Sequence, residues 1–171
     1  MSNHLMLDFE TLDTTATSVV LSLGIVLFNK EKILTSSYYE FDIKSQMEQG
    51  RTMSADTIMW WLNQTSGRKF TPPSEHYVQT LYKIKLWFDS LVVAGGFDEV
   101  WANDPNFDCA ILEDLFKPHG GVPYKFWQTR SMRTFIKYVG KGEKVKRTEG
   151  QKHNALVDAL DQAEYVRARL V

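Results

Sequence analysis

From His4 to Ile43 the apolar residues fall into three runs with short polar breaks between them. The first, His4-Leu-Met-Leu-Asp-Phe-Glu, the second, from Ser18 to Asn29 and rich in Val, Leu and Ile, and the third, Ile33 to Ile43 with Tyr38, Tyr39 and Phe41, predict three strands. The breaks Asp13-Thr-Thr-Ala-Thr and Asn29-Lys-Glu-Lys suit turns, so the strands are expected to form an antiparallel meander. Polar residues 45–52 read as a loop, and Ser54 as the cap of a helix from about Ala55 that holds Ile58, Trp61 and Leu62. Gly67, Pro72 and Pro73 interrupt the pattern over 65–73, and Ser74 suits the cap of a longer helix. Its stripe is Tyr77, Leu81, Ile84, Phe88 and Leu91, a helical spacing that packs one face inward.

Past Gly95-Gly96 the pattern alternates between short strands and helices. Glu99 to Asn103 predicts a fourth strand, and Pro105 to Phe116 a helix with Ile111, Leu112, Leu115 and Phe116 buried. Lys125 to Gln128 predicts a short fifth strand, and Ser131 caps a helix from Met132 to Val139. Residues 140–152 then carry basic side chains at 141, 144, 146, 147 and 152 and read as a mobile basic loop. Asn154 caps a last helix from Ala155 to about Leu170, with Leu156, Leu160, Ala163 and Val166 facing inward. A meander followed by such alternation predicts an α/β fold: a mixed sheet, antiparallel then parallel, flanked by helices.

Composition narrows the class without naming a chemistry. The 171 residues suit one domain, 1–171, and 43% apolar content with a net charge of −1 excludes a disordered or broadly polybasic chain. The lone Cys109 excludes an internal disulfide or a cysteine-rich zinc site and suits a reducing compartment. With no apolar run of membrane-spanning length and no signal-peptide layout, no membrane association is expected and the cytoplasm is the expected location.

The carboxylates carry the chemistry. Side chains alternate along a strand, so Asp8 and Glu10 share one face while Phe9 takes the other, and two like charges held together favour a cation between them. Asp108, opening the helix after strand four, and Asp158, in the first turns of the last helix, are the further acids that local structure leaves unexplained. Four carboxylates suit two hard cations, Mg²⁺ or Mn²⁺, an arrangement that serves phosphodiester hydrolysis. His153 lies five residues before Asp158, about 140° round a helix, and so is expected just outside the helix, at the end of the basic loop, where an imidazole can take a proton from attacking water.

At these residues the chain resembles the DEDDh 3′-5′ exonucleases of the ribonuclease H-like fold. Asp8-Phe9-Glu10 matches the family's first motif, Asn103 to Asp108 its second, and His153 to Asp158, in His-x-x-x-x-Asp spacing, its third. Within that family the chain is most similar to the exonuclease A group of T-even phages, through Trp60-Trp61 and Lys125-Phe-Trp-Gln-Thr-Arg, which implies a phage or prophage origin. It departs at Asp104-Pro105, where many relatives carry glycine. The resemblance implies release of nucleoside 5′-monophosphates from the 3′ end of a nucleic acid, single-stranded by expectation. Asp8, Glu10, Asp108 and Asp158 would hold two ions, His153 would be the base, and Thr11 and Leu12 would meet the terminal nucleotide through backbone groups and an apolar wedge. A homodimer is an expectation by analogy.

DNA and RNA both remain open as substrates, as do an oligoribonuclease-like action on short RNA and a catalytically silent nucleic-acid-binding module. Other residues have plainer readings. Trp61 belongs with Ile58 in the core, and Trp60 suits either base stacking or the core. Arg130 and Arg133 are solvated or meet phosphates. His4, His76 and His119 have no motif partner, and Cys109 is a buried filler.

Overall fold

A computed structural model of the protein describes residues 2–64, 73–140 and 153–170. The three apolar runs form β1 (Asn3–Thr11), β2 (Val20–Asn29) and β3 (Ile33–Glu40), paired antiparallel. Two shorter strands, β4 (Glu99–Ala102) and β5 (Thr129–Ser131), join in parallel on the other side of β1, giving the order β3-β2-β1-β4-β5. The six helices among the described residues are α1 (Ile43–Glu48), α2 (Ala55–Leu62), α3 (Tyr77–Val93), α4 (Asp108–Phe116), α5 (Met132–Val139) and α6 (Ala155–Arg167). The expected α/β architecture is thus the one observed.

The alternation along β1 sorts its side chains between two cores. Leu5, Leu7 and Phe9 pack with Ile84 and Phe88 of α3 and Ile111 of α4 on one face. Met6 packs on the other face with Trp101 and with Ala159, Ala163 and Val166 of α6. Parity therefore sends Asp8 and Glu10, the residues that continue the Met6 series, to the α6 side of the sheet. Every residue of β2 is buried, because this strand is covered on both faces.

The helix caps explain why α5 and α6 begin where they do. Ser131 Oγ accepts from the Thr134 N–H at 3.2 Å, and Asn154 Oδ1 accepts from the Leu156 and Val157 N–H groups at 3.1 and 3.2 Å. At α3 the cap is His76, whose ring Nδ1 accepts from the Val78 N–H at 3.3 Å, in place of the expected Ser74.

Four further expectations are corrected. The third strand stops at Glu40, and residues 43–48, read as strand end and loop, form α1. Asp42 caps α1 by accepting from the Ser45 N–H at 2.7 Å, and the fully buried Gln46 amide both accepts from the Val20 N–H and donates to the Val20 C=O, each at 2.8 Å. That glutamine satisfies the start of β2 as a strand neighbour would, which makes a polar segment adopt a packed position. Residues 126–128 form a 3₁₀ turn, closed by Gln128 Oε1 on the Lys125 N–H at 2.8 Å, so the fifth strand falls on the next three residues. The helix after β4 begins at Asp108, with a turn over Pro105. Trp61 is only half-buried and lies outside both cores, because α2 buries none of its residues. The interruption read over 65–73 lies, for 65–72, outside the described residues, and so does the basic loop from 141 to 152. Among the described residues no helix is long and apolar enough to cross a membrane.

Candidate active site

Beyond Leu7, β1 outruns its parallel neighbour, since β4 ends at Ala102 opposite Leu7. The Phe9 N–H donates instead to Asp108 Oδ1 at 3.0 Å, which fixes the first residue of α4 against the projecting strand end. On the other side of β1, Asp8 pairs with Gly24 and Glu10 with Ser22, and the register slips between Glu10 and Thr11. A bulge at this point twists the strand end, a device that re-aims side chains next to sites.

Gly24 lets α6 reach that strand. A Cβ at this position would stand 2.2 Å from the Ala155 carbonyl oxygen and 2.6 Å from the Leu156 Cα. The helix start therefore lies directly on the sheet, and one turn along it Asp158 projects to the β1 carboxylates. Carboxylate oxygens of Asp8, Glu10 and Asp158 come within 4.8 Å of one another, all three residues half-buried. Asp108 is not within this group: it is only 3% exposed and is held on the Phe9 amide.

The electrostatics reflect the crowding. The Asp8 carboxyl is held well above its ordinary value of 3.8, chiefly by desolvation and then by the charges of Asp108, Glu10 and Asp158, against which the Gln162 amide acts. Burial pushes Asp108 up to about 7, against the opposing hydrogen bond from Phe9. A donor set of oxygens alone, from acids drawn together this closely, fits a hard divalent cation.

His153 sits one residue before the Asn154 cap, as its spacing predicts, with φ +56°, a left-handed backbone that non-glycine residues rarely adopt. Its ring meets Trp60 edge to face at 4.8 Å between centroids and Trp61 at 6.0 Å. Trp61 Nε1–H in turn donates to the Thr11 C=O at 2.9 Å. The histidine is thus tied through α2 to Thr11 at the end of β1, the residue after Glu10. Thr11 Oγ1 donates to the Asp13 C=O at 2.6 Å, and Leu12 has both its N–H, to Val19, and its C=O, from Ser54, engaged inside the protein. The Leu12 side chain is half-buried.

Sequence reading missed two residues here. Gln162, four positions past Asp158 on α6, donates from Nε2 to Asp8 Oδ1 at 2.7 Å, and the i, i+4 spacing was its signal. Gly24 gave none beyond being a glycine inside a strand. The arginines are otherwise employed. Arg130 Nε binds Glu99 Oε1 at 2.8 Å, and Arg133 lies 3.5 Å from Asp104. Glu99 also faces His4 at 3.1 Å, so His4 has a carboxylate partner after all, at the end of the sheet remote from Asp8.

Known proteins similar to this chain are nucleases. The sequence profile of the Rv2179c-like 3′-5′ exoribonuclease domain matches residues 3–170. An exodeoxyribonuclease of Enterobacteria phage T4 is 30% identical, over 77% of this chain and 69% of that protein. Similar solved structures include the nuclease domain of 3′hExo, a DEDDh family member bound to rAMP, with a TM-score of 0.59 and 12% identity over 97% of this chain and 90% of that one. E. coli exonuclease I in complex with a dT13 oligonucleotide has a TM-score of 0.66 and 9% identity over 98% of this chain. The cell-death related nuclease CRN-4 has a TM-score of 0.58 and 16% identity over 98%. The chain spans 63% of the length of CRN-4 and 40% of that of exonuclease I. The mixed five-stranded sheet with its flanking helices has the ribonuclease H-like fold of these neighbours.

Proposed function

The chain belongs to the Rv2179c-like 3′-5′ exoribonuclease domain family, and from that membership we propose that residues 1–171 form one metal-dependent exonuclease domain acting on the 3′ end of a nucleic acid. The observation that carries this reading is the convergence of Asp8, Glu10 and Asp158, from β1 and α6, within 4.8 Å. The products are nucleoside 5′-monophosphates, and the substrate is a strand with a free 3′ end, single-stranded by preference, in the cytoplasm.

Asp8, Glu10 and Asp158, with Asp108 beside them, would hold two Mg²⁺ or Mn²⁺ ions. Bound there, such ions supply charge stabilisation to the scissile phosphate and a water of lowered pKa. His153, fixed against Trp60 and Trp61, accepts the proton of the attacking water, an imidazole being suited to that exchange near neutral pH. Thr11 and Leu12, at the end of β1, form the wall against which the terminal nucleotide sits, with the Leu12 side chain as its apolar part.

The test is digestion of 5′-labelled DNA and RNA, single- and double-stranded and of graded length, with Mg²⁺, with Mn²⁺ and with chelator. Stepwise shortening from the 3′ end, dependent on the metal and lost in Asp8→Ala, is the expected result. Binding without shortening under every condition would leave a silent binding module, and shortening confined to the shortest RNAs would make it an oligoribonuclease-like enzyme.

A further inference from the structure

Along α6, residues four apart lie one turn above one another, so Gln162 occupies the face that carries Asp158. Its two amide atoms are treated differently. Nε2 donates to Asp8 Oδ1 at 2.7 Å, whereas Oε1 is buried with no hydrogen-bond partner among the described residues. A buried amide oxygen without a partner is unfavourable, and an apolar side chain of similar length would fill the same space without it. The contact links residues 154 positions apart, between the central strand and the helix that brings Asp158 to it.

We propose that Gln162 is a positioning residue: it fixes the rotation of the Asp8 carboxylate that a divalent cation meets, and stability is given up to keep an amide there. Its role rests on the reading of Asp8, Glu10 and Asp158 as a cation site. A donor that occupies one carboxylate oxygen holds the group in a single orientation, which lowers the cost of assembling acids around an ion. Position 162 thereby sets metal affinity without supplying a ligand.

The experiment measures Mn²⁺ binding by electron paramagnetic resonance for the wild type, Gln162→Met, Gln162→Asn, Asp8→Asn and, as a control on the exposed side of α6, Glu164→Gln. Methionine keeps the length without a donor, and asparagine keeps the amide but draws it back from Asp8. Both should bind Mn²⁺ about tenfold or more weakly. The Mn²⁺ concentration for half-maximal hydrolysis should rise in step, and the metal-free melting temperature of Gln162→Met should be equal to or higher than that of the wild type. Glu164→Gln should bind as the wild type does. Folded Gln162 variants with wild-type affinity overturn the positioning role, as does a fall in metal-free melting temperature without a fall in affinity. A wild type that binds no more Mn²⁺ than Asp8→Asn overturns the cation site itself, a separate result.

Discussion

The carbonyl oxygen of Ala155 lies 2.2 Å from where a side-chain carbon on Gly24 would stand, so the last helix rests on the sheet only because that strand residue has no side chain. Gly24 is the neighbour of Asp8 across the ladder, and Asp158 lies one turn into the same helix. The close approach and the acidic cluster are therefore one construction.

From this follows a substitution outside the site that should disable it. Backbone atoms of Ala155 and Leu156 cannot swing aside as a side-chain tip does, so Gly24→Ala must displace the start of α6. Overpacking of this kind costs about 1–3 kcal/mol. Chemical denaturation should show that loss. Hydrolysis, assayed well below the unfolding midpoint, should fall further than the unfolded fraction accounts for, since Asp158 moves with the helix. Unchanged activity in folded Gly24→Ala would show that the site tolerates such a shift.

The raised carboxyls of Asp8 and Asp108 set the direction of a pH dependence. An acid whose folded pKa exceeds its unfolded value, here about 7 against 3.8 for Asp108, binds more protons in the native state across that interval. Its contribution to stability is complete below the unfolded value and is lost as pH rises through the folded one. The metal-free protein should therefore lose stability from about pH 4 to pH 7. Millimolar Mg²⁺ should flatten the profile, because the ion takes the place of the proton. Denaturant midpoints measured across this range, with chelator and with Mg²⁺, check both halves. A metal-free midpoint that rises steadily with pH would contradict the burial of these acids.

His153 separates chemistry from metal binding. Its left-handed backbone favours asparagine among the non-glycine replacements, so His153→Asn should keep the local fold while removing the base. Hydrolysis at neutral pH should fall about 10²–10⁴-fold, with Mg²⁺ still raising the melting temperature as in the wild type. Trp61→Phe, which removes the donor to the Thr11 carbonyl and trims the ring that meets Trp60 and His153, should cost about 1 kcal/mol or more of stability and produce a smaller fall in rate. Thermal melts with and without Mg²⁺, beside single-turnover hydrolysis, distinguish the two effects.

What could be read from the chain and what could not divide along physical lines. Strand alternation placed Asp8 and Glu10 on one face, and cap chemistry placed Ser131 and Asn154 at helix starts, because both rules are local. The His153 to Asp158 spacing likewise predicted a histidine just outside the helix. Contacts distant in sequence left no such trace. Nothing near Gly24 indicates that a helix more than 120 residues later will lie on it, and nothing near Trp61 shows that its helix lies over the end of β1 instead of in the core. The same limit hid α1, whose Gln46 completes β2 from 26 residues away, and the Glu99 carboxylate that engages both His4 and Arg130.

Arg51 is a further contact distant in sequence, and it bears on Asp108. Its guanidinium binds Asp114 Oδ2 on α4 at 2.7 Å, the Ser18 C=O at 2.8 Å and the Ala16 C=O at 2.9 Å, and its side chain is only 10% exposed. Asp114 belongs to the helix that Asp108 opens, while residues 16–18 belong to the connection leaving β1, so one side chain ties the two segments that flank the strand end. Lysine can keep the ion pair but lacks the planar fork, and its replacement of Arg51 should lose the carbonyl bonds at about 1–3 kcal/mol. Alanine leaves all three acceptors unpaired and should cost about 3 kcal/mol or more. Because Asp108, on the same helix as Asp114, is among the acids that would hold an ion, part of the activity lost in Arg51→Lys should be restored by raising Mg²⁺. Urea denaturation and Mg²⁺ titrations of hydrolysis test this, and a fall in the activity of Arg51→Lys with an unchanged Mg²⁺ requirement would show that the arginine does not act through Asp108.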